Sequence, residues 1–220
     1  MPIAPIAPIA PSAATRRLLA LLALLLTLAC GGPPKEQPLP RGSRVVALGD
    51  SLTAAHGVRP AEAWPALLAE LTGWEVINGG VSGDTSEGGL QRLPALLDEY
   101  RPALVLVTLG GNDMLRRVPQ EQTMANLGRI IAQVRAHGAR VVLVATPKPS
   151  LAGAAFGALS PADFYRTVAR DQQVPLIEDP IADVLSEAKL KADQLHPNAA
   201  GHALLAKKLL AALKTIGYVR

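Results

Sequence analysis

The sequence predicts an α/β domain, a three-layer α/β/α sandwich around a five-stranded parallel sheet. Three observations lead there. From Arg44 onward, short β-branched apolar runs alternate with longer stretches of helical spacing, the β-α-β-α order of a parallel sheet. Two of the runs, "ALVLVTLG" (103–110) and "ARVVLVAT" (139–146), are apolar nearly throughout, as expected for strands buried on both faces. The 220 residues, 49% hydrophobic and 18% charged, suffice for one full core and exclude a mainly disordered chain.

The elements follow in order. The first apolar run, 45–48, precedes "PAEAWPALLAEL" (60–71), whose spacing is helical, with Pro65 near a first turn or at a kink. Residues 74–77 read as a second, weaker strand and 87–100 as a second helix, interrupted at Pro94. The strand at 103–110 leads to a helix over 121–136, and the strand at 139–146 to a helix over 163–170. A short strand at 174–177 and a last helix over 198–216 complete the series.

The chain ahead of the domain has a different character. "PIAPIAPIAP" is proline-rich and cannot form a helix. Arg16 and Arg17 then precede an apolar stretch, 18–29, too short to span a bilayer but suited to a signal-peptide core. Ala29 before Cys30 resembles the lipobox of bacterial lipoproteins, with Thr27 where that motif has Leu. Cys30 is the sole cysteine, which leaves no partner for an intramolecular disulfide. Residues 1–30 therefore read as a signal peptide with a lipobox-like end, and "GGPPKEQPLPRG" (31–42) as a tether. Residues 43–220 form the folded domain. The expectation is export, with membrane attachment through a lipid on Cys30 and a domain facing the periplasm or the cell exterior; simple secretion is the alternative.

Charge excludes one class of partner. The net charge is +4, but residues 30–220 carry 20 basic against 18 acidic groups, scattered, and aromatic residues are only 3%. Neither a basic patch nor a base-stacking platform is present, so no nucleic acid is expected.

In parallel sheets of this kind ligands bind outside the carboxyl ends of the strands. Function is therefore expected in "GDSLT" (49–53), "NGGVSGDTS" (78–86), "GGND" (110–113) and "TPKPS" (146–150), and in "DQLHPN" (193–198) after the fifth strand. Ester cleavage through a covalent intermediate needs a nucleophile, a base, a group orienting the base and donors for the oxyanion. Ser51 leaves the first strand where a nucleophile could stand, although a lone serine there is more often a turn or cap residue, and Thr53 breaks the G-x-S-x-G elbow. Among the histidines, His137 sits at a helix end, His202 lies within the last helix as a surface or packing residue, and His56 lines a pocket mouth. His196 differs, because Asp193 three residues earlier can accept a hydrogen bond from one ring nitrogen and leave the other for Ser51. Gly83 can offer a backbone N–H and Asn112 a side-chain amide. A zinc reading of Asp193, His196 and His202 lacks the ligand count and spacing, so no metal is expected.

The four blocks together, "GDSLT", "VSGDTS", "GGND" and "DQLHPN", resemble those of the SGNH hydrolases of the GDSL family. The resemblance covers the chain from about Val45 to the C-terminus. "AWPALLAEL", "SGDTSEGGLQRLPALL" and "LVTLGGNDMLR" are most similar to the bacterial arylesterase and acyl-CoA thioesterase I/lysophospholipase branch, whereas residues 146–161 depart from it. The resemblance implies a flavodoxin-like fold and a serine esterase without metal or organic cofactor, acting on a small-molecule ester. It implies Ser51, His196 and Asp193 as catalytic residues, with an oxyanion hole from the N–H groups of Ser51 and Gly83 and the Asn112 amide. Asp50 and Asp113 are expected to fix their loops. A carbohydrate O-acetyl esterase and a non-catalytic lipid-tethered binder are the alternatives.

Overall fold

The computed structural model describes residues 36–150, 153 and 157–220. The leader, Cys30, most of the tether and part of the 146–161 segment lie outside them.

Five strands, β1 (Arg44–Gly49), β2 (Glu75–Gly80), β3 (Leu104–Thr108), β4 (Arg140–Val144) and β5 (Leu176–Ile177), pair in parallel in the order β2-β1-β3-β4-β5. The helices are α1 (Trp64–Thr72), α2 (Ser86–Tyr100), α3 (Gly111–Leu115), α4 (Gln120–Ala136), α5 (Phe164–Gln172), α6 (Pro180–Ser186) and α7 (Ala199–Ile216). Single 3₁₀ turns occur at Pro60–Glu62 and Ala188–Leu190.

Strand alternation builds two cores. Val46, Leu48, Val105, Val107, Val141 and Leu143 face one side, where α2, α4 and α5 cover them with residues such as Leu93, Ile130 and Val168. Val45, Ala47, Leu104, Leu106, Val142 and Val144 face the other, under α1, α6 and α7 with Leu68, Val184 and Leu209. Both faces of β3 are buried along its whole length, which explains its unbroken apolar run. The three-layer expectation is met.

Several local expectations change. Helix α2 runs through Pro94 without ending there, and its N-terminus is capped by Thr85, whose side chain accepts the Gly88 N–H. Pro65 sits in the first turn of α1. The fifth strand shortens to two residues, with Val174 buried at the end of α5 and bonded through its N–H to Ala169 O. Two short helices, α3 and α6, form where the sequence reading placed no element. Gln37–Gly42, counted with the tether, already pack on the domain: Leu39 is buried and donates its N–H to Tyr218 O, and Arg140 donates to Gln37 O. Among the described residues no helix is long and apolar enough to cross a membrane.

The order 2-1-3-4-5 has its switch point between β1 and β3, where connections leave for opposite faces and a crevice opens at the carboxyl ends. That crevice holds the candidate site.

Candidate active site

At the end of β1 the chain turns tightly, with the N–H groups of Thr53 and Ala54 bonded to Asp50 O. Gly49 is required there, since a Cβ would stand 2.1 Å from Thr108 Oγ1 and 2.2 Å from Thr53 Oγ1. Those two hydroxyls bond each other at 2.7 Å and tie the exit of β1 to the end of β3. Asp50 is buried, and its Oδ1 accepts the Leu52 N–H. Burial pushes its carboxyl up to about 6, against the pull of that hydrogen bond. The turn presents the Ser51 side chain toward the cleft.

Across the cleft, Asn198 caps α7 by accepting the Gly201 N–H, while its own amide donates to the carbonyls of Lys189 and Lys191. This cap closes the preceding loop, in which Asp193 Oδ1 accepts the N–H groups of Leu195 and His196 at 2.7 and 2.9 Å. The same carboxylate lies 2.8 Å from His196 Nδ1, and His196 Nε2 lies 3.0 Å from Ser51 Oγ. With the Nδ1 proton directed to Asp193, Nε2 is the acceptor facing the serine. Partial burial works against the Asp193 charge, but the Leu195 N–H, the imidazole and the His196 N–H outweigh it and hold the carboxyl below its usual range.

The remaining predicted residues line the same cleft, of about 560 Å³. Gly83 has φ +80°, a left-handed conformation suited to glycine, and its carbonyl accepts from Arg116. Asn112, in the first turn of α3, donates its amide to Asp84 O at 2.9 Å and to Asp50 Oδ2 at 3.2 Å. Asp113 is buried and accepts from the Ser86 N–H and hydroxyl and from Thr123, so it fixes the start of α2 against α3 and α4.

Other contributors were not legible in the sequence. Arg92 donates to Asp84 Oδ2 and to the carbonyls of Gly79 and Gly49, joining the ends of β1 and β2 beneath the Gly83 loop. Tyr165 donates to Leu109 O and bonds Thr146, bracing the ends of β3 and β4. Leu115, Leu159, Leu185 and Leu195 supply apolar walls to the cleft. Leu115 follows the "GGND" block, Leu195 falls within "DQLHPN" and Leu159 within the divergent 146–161 segment, whereas nothing in the sequence marks Leu185.

The other histidines separate cleanly. His56 lines the cleft, its ring centroid 4.2 Å from that of His196. His137 is exposed at the end of α4, near Asp98. His202 is fully buried and its Nδ1 accepts the Trp64 N–H, so it is a packing residue. A second cavity, of about 600 Å³ beside the Asp183–Lys208 ion pair, contains none of the predicted site residues.

Comparison with known proteins identifies the family. Residues 47–204 match the GDSL-like Lipase/Acylhydrolase family. The chain is 36% identical over 181 residues to esterase TesA of Pseudomonas aeruginosa, spanning 78% of this chain and 88% of that protein. It is 39% identical over 156 residues to thioesterase 1/protease 1/lysophospholipase L1 of Escherichia coli strain K12, spanning 69% and 74%. Among solved structures, the psychrotrophic esterase EstA from Pseudoalteromonas sp., inhibited by monoethylphosphonate, superposes with a TM-score of 0.68 at 29% identity, covering 79% of this chain and 97% of that one. The match extends from β1 into α7 and takes in every strand of the sheet: the chain belongs to the GDSL-like lipase/acylhydrolase family.

Proposed function

We propose that this chain is a serine esterase that works through an acyl-enzyme on Ser51. The observation that carries the reading is the unbroken chain of contacts from Asp193 through His196 to Ser51, with 2.8 Å and 3.0 Å as its two links. Ser51 Oγ attacks the acyl carbonyl carbon while His196 Nε2 takes its proton. Asp193, held ionised by its backbone donors, orients the ring and stabilises the imidazolium. The oxyanion is received by the N–H groups of Ser51 and Gly83 and by the Asn112 amide, whose longer contact to Asp50 is exchanged for it. Collapse expels the alcohol, which leaves with the proton from His196. Water then attacks the acyl carbon with His196 again as base, releasing the acid and restoring Ser51.

The leucine walls favour an acyl chain over a sugar as the group bound in the cleft. Aryl and short-to-medium acyl esters, lysophospholipids and thioesters fit this reading, and it disfavours a carbohydrate O-acetyl ester. Export and lipid attachment at Cys30 complete it, and they put oxygen esters ahead of cytosolic thioesters. Cys30→Ala should move the protein from the membrane fraction to the soluble one; unchanged fractionation would contradict the anchor.

A fluorophosphonate probe tests the activity. One adduct on Ser51 is expected in the parent and none in Ser51→Ala. A parent that takes up no probe would favour a non-catalytic binder.

A further inference from the structure

A second imidazole stands beside the proposed base. The rings of His56 and His196 are 4.2 Å apart at an interplanar angle of 41°. One ligand atom from each of His56, His196 and Asp193 lies within 4.8 Å of the others, a grouping of metal-ligating side chains found once among the described residues. Sequence spacing hides it. Asp193 and His196 share the loop before α7, whereas His56 comes from the turn after β1, and the two segments meet only at the carboxyl ends of the strands.

The donor set has a definite preference. Two imidazoles and one carboxylate are the ligands of three-residue zinc sites that keep a fourth position open, and imidazole suits the borderline ions up to Cu²⁺. Mg²⁺ and Ca²⁺ take oxygen ligands and have no reason to choose this site. Ligands about 2.1 Å from a tetrahedral ion stand roughly 3.4 Å from one another, so the Asp193–His196 pair, at 2.8 Å, opens slightly and His56 closes on both from within the 4.8 Å limit. His56 is exposed, and a swing of its ring supplies that movement at little cost.

We propose that His56, His196 and Asp193 form an inhibitory site for a Zn²⁺-class ion at the mouth of the cleft. The ion takes the ring nitrogens of both histidines and a carboxylate oxygen, with water in the open position. An imidazole so held cannot accept the Ser51 proton, and the ion blocks the approach to the serine, so metal and turnover exclude each other. Binding stands on the geometry alone, while inhibition rests on the esterase reading.

Calorimetric titration with ZnCl₂ separates the two. The parent should bind one ion per chain. His56→Ala and His56→Gln should each bind it at least tenfold more weakly, whereas His137→Gln, altering the surface histidine near Asp98, should bind as the parent does. In parallel, ZnCl₂ should inhibit p-nitrophenyl acetate hydrolysis by the parent, with recovery on adding EDTA and no inhibition by equal MgCl₂. Each variant is compared with its own metal-free rate. Equal Zn²⁺ affinity in the parent and both His56 variants, or binding lost in His137→Gln, overturns the site. Zn²⁺ bound through His56 with undiminished hydrolysis overturns the inhibitory role. A parent that binds Zn²⁺ yet hydrolyses nothing without it leaves the site standing and removes the esterase reading.

Discussion

His196 Nε2 lies 3.0 Å from Ser51 Oγ although 145 positions of chain separate the two residues. Neither side chain reaches the other by local folding. Ser51 is delivered by the turn that ends β1, and His196 by a loop closed through the Asn198 cap of α7.

The amide of Asn112 enters the site through α3, a helix of a single turn. Asn112→Ala removes one proposed oxyanion donor and should lower kcat by roughly 10²–10³ with a much smaller change in KM. Steady-state kinetics on a p-nitrophenyl ester measures it. An equal rise in KM with unchanged kcat would instead assign Asn112 to ground-state binding.

Asp193 is half exposed, so its replacement should leave the fold intact. Asp193→Asn removes the charge that supports the imidazolium and should cost roughly 10²–10⁴ in kcat, with an unchanged melting temperature. Because the Asp193 carboxyl lies below its usual range in the folded chain, it should stay ionised across the pH range in which the parent turns over. A pH–rate profile followed into the acid range, together with the Tm, checks both statements.

Arg92 is a structural keystone beneath the Gly83 loop. Arg92→Met leaves Asp84, mostly buried, without its cation and takes one donor from each of two strand-end carbonyls, of which that of Gly49 keeps the Val81 N–H. The expected loss is about 3 kcal/mol in urea unfolding, the low end for a buried pair because Arg92 is partly exposed, with kcat falling because Asp84 O also holds the Asn112 amide. A variant as stable and as active as the parent would show that the loop is held by other contacts.

His202 and Asp50 give stability opposite dependences on pH. Burial lowers the His202 pKa from 6.5 to about 4, so the unfolded chain takes up its proton first. Stability from this residue is complete above pH 6.5 and is lost as pH falls toward 4, by about 3 kcal/mol. Asp50, raised from 3.8 to about 6, acts in the other direction: its share is full at low pH and is lost as pH rises through about 6. Comparing His202→Gln with the parent isolates the histidine. The stability difference between pH 7 and pH 4.5 should be smaller in the variant, and equal differences would remove His202 from the account.

How much of this was legible in the sequence depends on the length over which each signal repeats. The strands at 103–110 and 139–146 declared themselves because burial on both faces leaves few polar positions. The three-residue spacing of Asp193 and His196 lies in one loop, so it could be read locally. Helices α3 and α6 are five and seven residues long, too short to show a helical period, and α6 begins at a proline that reads first as a breaker. Arg92 looks like an ordinary surface position of an amphipathic helix. Its partners on β1 and β2 become neighbours only when the parallel sheet forms. His56 is the same case, since nothing near it in sequence points to His196. Gln37–Gly42 has the proline and glycine content of a tether, yet the chain docks there because Leu39 finds a pocket in the core that only the folded domain offers.

Acylation of Ser51 is tested by pre-steady-state hydrolysis of p-nitrophenyl acetate. The parent should release a burst of p-nitrophenol approaching one equivalent as Ser51 is acylated, wherever deacylation is the slower step, and Ser51→Ala should show no burst and only weak residual turnover. Ser51→Ala hydrolysing the ester as fast as the parent would contradict it.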